Sequence, residues 1–388
     1  MVRSPELTGG AGFTFEAKIG AVYLSGLLAR GTAAGLGDGR VTRVAFQQSA
    51  HGEPLDDIIV DGVFADGSKR RLSLQAKRSI KFGSGKTNSD FREIVHNSWK
   101  TLQKPDFRDG ADRFGGAVNS ASSAKLKALI SIGERARYTS VASDFVAGPG
   151  GNGQWNAQQS SVITDVRDLL DEIVAPKISD DDLHRFFRHF LILQFDLLHD
   201  GAAGNVAALS QLDAIVDSGA GGQSSTAFAK LESIAETAKN NAGALERKTL
   251  IFRLDGGIPL RGAASLQSEI SNLSKHCDAA LSSIRSTIDG TRLPRTHLMD
   301  AAEKQLNNNR LLYIRGLPGA GKSVVLRGLA ERTRSIGPVL FLKSDRLSGA
   351  SWQEFATRNG FGTVCITELL ADIGATGSKT LFIDGIDR

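Results

Sequence analysis

The sequence has 388 residues, of which 41% are hydrophobic and 23% are charged, so it can form two or three domains that each bury a core. It contains no run of roughly 20 apolar residues and no signal-peptide pattern, so we expect no membrane insertion and no export, and we predict a cytoplasmic protein. The two cysteines, Cys277 and Cys365, are far apart, which excludes a disulfide framework or a zinc site built on cysteine pairs.

The formal net charge of +5 is modest, but basic residues are concentrated in one stretch. No acidic residue lies between Asp66 and Asp90, and seven basic residues do: Lys69, Arg70, Arg71, Lys77, Arg78, Lys81 and Lys86. Such a run is suited to phosphate contacts, although a solvated basic surface would have the same composition.

Hydrophobic periodicity predicts the elements of the N-terminal part. Apolar residues at helical spacing indicate a helix over 13–28, with Glu16 near its start. Short apolar or alternating runs separated by turn residues predict strands over 41–47, 57–64 and 70–77, followed by a helix over 92–102.

Further along the chain, glycine-rich segments at 148–153 and 219–222 predict loops. An apolar element is expected over 125–132. The acidic run after Ser179 predicts the start of a helix that carries aromatic core residues up to Phe190. From Ser224 to about Leu293 the pattern is mostly helical, and we interpret it as a connector.

A glycine-rich run at 316–323, Gly-Leu-Pro-Gly-Ala-Gly-Lys-Ser, has the spacing of a P-loop. An apolar run over 311–315 predicts the preceding strand, and a helix is expected from Val324. Gly316, Gly319 and Gly321 allow backbone N–H groups to surround phosphate oxygens. Lys322 is expected to reach the β- and γ-phosphates of ATP, and the Ser323 hydroxyl to bind Mg²⁺.

Two more strands are predicted, over 338–342 and 380–384. The second delivers Asp384 at its end, a Walker B pattern in which this carboxylate holds the metal, and Asp387 could polarise an attacking water. Together, 314–323 and 381–387 resemble the STAND class of signalling NTPases, which includes NACHT proteins. The sequence ends at Arg388, directly after this strand, so we expect a piece of a longer protein.

Four N-terminal residues form a second candidate site: Glu16, Asp57, Gln75 and Lys77. Gln75 and Lys77 share one face of a strand, and an aspartate of the adjacent strand can approach them. Carboxylate-bound Mg²⁺ (or Mn²⁺) beside a lysine is suited to phosphodiester hydrolysis. The alternation of the strand does not decide between Asp56 and Asp57, and a surface role for all four residues remains an alternative.

With this order, 55–60 and 74–78 resemble the PD-(D/E)xK nuclease superfamily, more narrowly its Mrr-like branch and the CD-NTase-associated endonucleases, in which glutamine commonly replaces the last acid. The resemblance implies metal binding by Glu16 and Asp57, with Gln75 and Lys77 as further catalytic residues. Because Gln75 is uncharged, we expect a weak or water-rich metal site.

The two resemblances combine in the AVAST class of bacterial anti-phage proteins. They imply an α/β protein: a restriction-endonuclease-like α/β/α domain with helical additions over 1–222, a helical connector over 223–293, and the start of a P-loop NTPase parallel sheet over 294–388. The implied function is cleavage of double-stranded DNA by a homo-oligomer that assembles with ATP, after a missing C-terminal region senses a phage protein. The alternatives are a nucleotide-switched DNA-binding scaffold and a subunit of an NTP-dependent restriction system.

Overall fold

A computed structural model describes most of the chain. The described residues are 6–149, 155–197, 202–216, 223–254, 258, 260, 266–292, 294–309, 311–334, 339–361, 366–373 and 379–385. The chain divides into two compact units, Met1–Ala214 with Ser218–Leu254, and Ile215–Asp217 with Asp255–Arg388. None of the helices in the described part combines the length and apolar character needed to cross a membrane.

The first unit is α/β and contains a mixed six-stranded sheet. Its strands are β1 (Arg40–Phe46), β2 (Ile58–Val63), β3 (Lys69–Ser79), β4 (Arg113–Ser120), β5 (Phe190–Gln194) and β6 (Ala244–Glu246). They lie in the order β5-β4-β3-β2-β1-β6. The pairs β3–β4 and β4–β5 are parallel, and the pairs β2–β3, β1–β2 and β1–β6 are antiparallel.

Nine helices of the described residues accompany this sheet: α1 (Glu6–Ala29), α2 (Ser89–Leu102), α3 (Ser123–Tyr138), α4 (Ala142–Val146), α5 (Ala157–Asp171), α6 (Asp180–His189), α7 (Ala203–Asp213), α8 (Gln223–Asn240) and α9 (Arg247–Leu254). Helices α2, α3, α5 and α6 share one hydrophobic core with Phe114 of β4.

Helix α1 packs against β1, α7 and α8. At Gly20 the helix approaches so closely that an added Cβ would lie 2.6 Å from Phe46 of β1 and 3.0 Å from Ala235 of α8. The buried residues Phe15, Ile19 and Tyr23 form the apolar face of α1. This close packing holds α1, and with it Glu16, against the antiparallel end of the sheet.

The second unit contains α10 (Gln267–Ser282), β7 (Thr287–Ile288), β8 (Thr291–Arg292), α11 (Thr296–Asn308), α12 (Lys322–Thr333), β9 (Val339–Lys343), α13 (Trp352–Arg358), α14 (Ile366–Asp372) and β10 (Thr380–Asp384). β9 and β10 pair in parallel, and β7 and β8 are antiparallel. The core includes Cys277, whose buried Sγ accepts a hydrogen bond from the Phe341 N–H at 3.2 Å. Cys365 lies outside the described residues.

Most predicted elements of the first unit are confirmed within a few residues, including the three N-terminal strands and the helix that Ser179 caps through its side chain. The predicted loops at 148–153 and 219–222 lie largely or wholly outside the described residues. The segment predicted as a connector contributes α8 and α9 to the first unit and α10 to the second.

One prediction in the second unit is wrong. The run 311–315 is not a strand, and its side chains Leu311 and Tyr313 are 84% and 55% exposed. An apolar run becomes a strand only when another strand accepts its hydrogen bonds, and in the described part of the chain the only parallel partners in this unit are β9 and β10.

Candidate functional sites

Two carboxylates of the first unit, from distant parts of the chain, share one hydrogen-bond donor. Gln47 Nε2 donates to Glu16 Oε1 at 2.8 Å and to Asp57 Oδ1 at 3.0 Å. Glu16 comes from α1, Gln47 follows β1 directly, and Asp57 immediately precedes β2. The antiparallel pairing of β1 with β2 brings Gln47 and Asp57 together, and the Gln47 N–H also donates to the Asp57 carbonyl at 3.2 Å.

Both carboxyl groups are held in surroundings that disfavour their charged forms. Burial, followed by the charge of Asp57, raises the pKa of Glu16 to about 7. Burial also raises the pKa of Asp57, with a further contribution from Asp56, although the hydrogen bond from the Ala76 N–H opposes the change. Two carboxylates this close repel each other once both are ionised.

The structure distinguishes the two neighbouring aspartates. Asp57 Oδ2 accepts the Ala76 N–H of β3 at 2.8 Å, which fixes this side chain between β3 and Gln47. Asp56 contributes its main-chain carbonyl to the Gln48 N–H at 2.9 Å. Asp57 is therefore the aspartate that lies beside Glu16.

Gln75 and Lys77 lie on the same face of β3 and contact one carboxylate of α2. Gln75 Nε2 donates to Glu93 Oε1 at 2.8 Å, and Lys77 Nζ donates to Glu93 Oε2 at 2.7 Å. Asn97, one helical turn later, donates through Nδ2 to Gln75 Oε1 at 3.3 Å. Gln75 is 5% exposed, whereas the Lys77 side chain retains 23% exposure.

These contacts favour the charged forms of both Lys77 and Glu93. Partial burial alone would lower the pKa of Lys77, but the hydrogen bond and charge of Glu93, with Asp90 and Asp57, raise it overall. Partial burial would raise the pKa of Glu93, and its bonds to Lys77 and Gln75 lower it overall. At neutral pH the pair is therefore an ammonium beside a carboxylate.

The four residues predicted from the sequence are thus brought together, and two further residues complete the group. We call Glu16, Gln47, Asp57, Gln75, Lys77 and Glu93 the N-terminal site. Gln47 is uncharged and simply follows a strand, and Glu93 has the spacing of a surface acid on an amphipathic helix. The only sequence signal for Glu93 was that its helix begins directly after the basic run.

The N-terminal site fits a divalent cation in part. The amide nitrogen of Gln47 lies where a cation would contact both Glu16 and Asp57, and both carboxylates have raised pKa values that a cation would reverse. Among the described residues, no three His, Cys, Asp or Glu side chains cluster as metal ligands. Two carboxylates are therefore available, and the other ligands would be neutral oxygens or water.

The second unit brings together the two ends of its predicted nucleotide site. Ser323, at the start of α12, donates through Oγ to Asp384 Oδ1 at 3.0 Å, although 61 residues separate them. Asp384 is the last residue of β10 and is 9% exposed. A hydroxyl and a carboxylate at this distance can contact a single Mg²⁺. Asp387 lies outside the described residues.

The loop before α12 has the backbone that its glycines predict. Gly319 and Gly321 have φ values of 78° and 81°, in the left-handed region that favours glycine. Lys322 Nζ donates to the loop carbonyls of Gly316 at 2.7 Å and Leu317 at 3.3 Å. The ammonium is thus held at the loop by two neutral carbonyl acceptors, which an anionic phosphate could replace.

The basic run of the first unit divides into two groups. Arg71 pairs with Asp61 and Glu53, and the Arg70 guanidinium lies over the Phe64 ring at 4.6 Å, so both support the fold. Arg78, Lys81 and Lys86 are exposed, and no acidic side chain of the described residues pairs with them. These three residues, which follow Lys77 along the chain, are therefore available for phosphate contacts, and Lys69 at the start of β3 is exposed as well.

No model of a known protein family matches the chain, and no curated protein matches it. Among solved structures it is similar to the Cap4 SAVED/CARF-domain containing receptor of Moraxella osloensis, with a TM-score of 0.36 and 14% identity over 63% of this chain and 47% of that one. The Acinetobacter baumannii receptor of the same description, solved with the cyclic trinucleotide 3'3'3'-cAAA, gives a TM-score of 0.36 and 13% identity over 88% and 62%. The chain thus spans about half to two thirds of these proteins. Similarity at this level carries no argument about the present chain.

Proposed function

We propose that the chain is a metal-dependent endonuclease for double-stranded DNA, regulated by ATP, that acts in bacterial anti-phage defence. The observation that supports this proposal is the N-terminal site, in which Glu16 of α1 and Asp57, Gln75 and Lys77 of the sheet region are brought together. The resemblance to the PD-(D/E)xK superfamily implies a restriction-endonuclease-like fold for 1–222, and the mixed sheet is compatible with it.

In this proposal Glu16 and Asp57 would hold Mg²⁺ (or Mn²⁺), with the Gln47 amide turned away from them. When bound, such a cation would supply a Lewis acid and a water molecule of lowered pKa. Lys77 cannot act as the base at neutral pH, because its pKa is raised. Its ammonium would instead orient the attacking water or stabilise the charge that develops on the phosphate.

The second unit would then act as a nucleotide switch. ATP phosphates would draw Lys322 from the loop carbonyls, and Ser323 and Asp384 would hold the accompanying Mg²⁺. We propose that ATP binding at 294–388 assembles a homo-oligomer in the cytoplasm. Such a gate limits cleavage of host DNA, because assembly changes the active population steeply.

Cleavage of supercoiled plasmid tests the proposed function, and the neighbouring aspartates provide a matched control. With Mg²⁺ or Mn²⁺, Asp57→Asn and Lys77→Ala should reduce cleavage by roughly a hundredfold or more, as when one transition-state contact is removed. Asp56→Asn changes the same charge one residue away and should cleave like wild type.

If wild type remains inactive at high concentration and when dimerised through a fused tag, the nuclease proposal is wrong and a DNA-binding scaffold is favoured. Cleavage that survives Lys77→Ala would also contradict it. ATP consumption that grows with DNA length would instead indicate a translocating restriction subunit.

A further inference from the structure

Gln75 and Lys77 each bond a different oxygen of the same carboxylate. Nε2 of Gln75 lies 2.8 Å from Oε1 of Glu93, and Nζ of Lys77 lies 2.7 Å from Oε2. Asn97 donates to the Gln75 oxygen, so the amide presents its NH₂ group to Glu93. The two side chains therefore form a two-pronged donor, which we call the Gln75–Lys77 fork.

This fork has the donors that a phosphodiester requires. A phosphodiester presents two non-bridging oxygens that share one negative charge on one phosphorus, as a carboxylate presents two oxygens that share one charge on one carbon. N–H and ammonium donors bind both groups. A carboxylate at position 75 would repel both Glu93 and a phosphate. Glutamine at this position is thus suited to donate to an anion.

We propose that the Gln75–Lys77 fork is the binding site for a phosphate of the DNA backbone, and that Glu93 occupies this site in the free protein. The inference rests on the proposed function, because it takes a phosphodiester as the ligand. It gives Gln75 the role of a phosphate donor rather than a metal ligand. Glu93 becomes an internal competitor that the substrate must displace.

The position of Glu93 makes this displacement feasible. Its side chain is 47% exposed, so water can replace the lost partners when the carboxylate swings out. Ion pairs at such exposure are weak. The exposed Arg78, Lys81 and Lys86 follow Lys77 along the chain and attract a polyanion to this region. The apparent affinity for DNA is then the intrinsic affinity multiplied by the fraction of molecules in which Glu93 has left the fork.

Binding of a short fluorescent DNA duplex, followed by anisotropy in EDTA so that no cleavage occurs, tests the inference on the full chain. Glu93→Ala should bind the duplex about tenfold more tightly than wild type if the fork is free in about a tenth of wild-type molecules. Glu93→Gln should tighten binding less, because its amide oxygen still accepts from the fork. Glu134→Gln changes the net charge equally at an exposed position of α3 and should stay within about twofold of wild type.

Adding Gln75→Ala to Glu93→Ala should remove most of the gain. The inference is overturned if both Glu93 variants, folded by circular dichroism, bind the duplex no more tightly than Glu134→Gln, and equally if none of the proteins binds. Tighter binding without plasmid cleavage by any protein would support the fork and contradict the nuclease proposal. Plasmid cleavage without tighter duplex binding by the Glu93 variants would support the nuclease proposal and contradict the fork.

Discussion

Gln47 adopts a left-handed backbone conformation, with φ of 49° and ψ of 55°, at the end of β1. For a residue other than glycine, this conformation is unfavourable by roughly 1–2 kcal/mol. The conformation accompanies a side-chain amide that donates to both Glu16 and Asp57. Strain held beside two half-buried carboxylates is typical of a site shaped for binding rather than for stability.

The raised pKa of Glu16 predicts a loss of stability as pH rises. Below its usual value of 4.5 the carboxyl is neutral in both states, whereas between 4.5 and about 7 the unfolded chain ionises and the folded protein keeps its proton. In EDTA at pH 8, Glu16→Gln should therefore be more stable than wild type, by at most about 3 kcal/mol. At pH 4 the two should be equally stable.

Urea unfolding at both pH values measures this difference. Glu134→Gln, which removes an equal charge at an exposed position of α3, is the control for the change in net charge. If cation binding relieves the same repulsion, Mg²⁺ should stabilise wild type at pH 8 and leave Glu16→Gln unchanged. A variant less stable than wild type at pH 8 would show that Glu16 is ionised and well paired in the fold.

At the scale of elements, Gly115 controls how closely β4 approaches β5. Its φ is 150°, and an added Cβ would lie 1.8 Å from the Leu191 carbonyl oxygen. Gly115→Ala should therefore force these parallel strands apart and destabilise the unit by about 1–3 kcal/mol or more. Cleavage should fall with it, since β4 also supports β3, where Gln75 is paired with Gly116.

A comparison of the melting temperatures of Gly115→Ala and Gly110→Ala isolates the effect of the close approach between β4 and β5. Gly110 has a φ of 80°, but an added Cβ would meet nothing within 4 Å. Equal destabilisation by the two substitutions would mean that backbone conformation, and not the contact with Leu191, decides the outcome.

The same strands show why sequence patterns predicted only part of the fold. β1, β2 and β3 have alternating or apolar runs bounded by turns, and they were predicted. β4 contains two adjacent glycines, which weaken a strand pattern, and β5 begins directly at the end of α6 without a turn signal. β4 and β5 are strands because they pair in parallel with segments that are distant in the sequence, and a local sequence pattern carries no information about such pairing.

The candidate site divides in a similar way. Asp57, Gln75 and Lys77 stand at recognisable places on strands, and their order was sufficient to predict them with Glu16. Gln47 and Glu93 act through contacts with residues 10 to 31 positions away in the sequence. Such contacts depend on how α1 and α2 pack on the sheet, so composition and spacing did not reveal them.

At the scale of the whole molecule, the proposed switch predicts that ATP changes the assembly state. ATP with Mg²⁺ should increase the mass measured by light scattering, and Lys322→Ala should prevent this increase by removing the ammonium that we propose as the phosphate contact. Lys275→Ala removes an equal charge from an exposed position of α10 and should assemble normally. Assembly that persists in Lys322→Ala would separate oligomerisation from nucleotide binding.

The packing of α8 on α1 also affects how the protein is made. Ala235 contacts the face of α1 at Gly20, and the charges of Lys239 and Glu236 act on Glu16, yet these helices are about 200 residues apart in the chain. At a synthesis rate of about 5–20 residues per second, α8 follows α1 by roughly ten seconds or more. During that interval the nascent helix α1 lacks its partner helix on the ribosome, so Glu16 reaches its final position only after α8 has been translated.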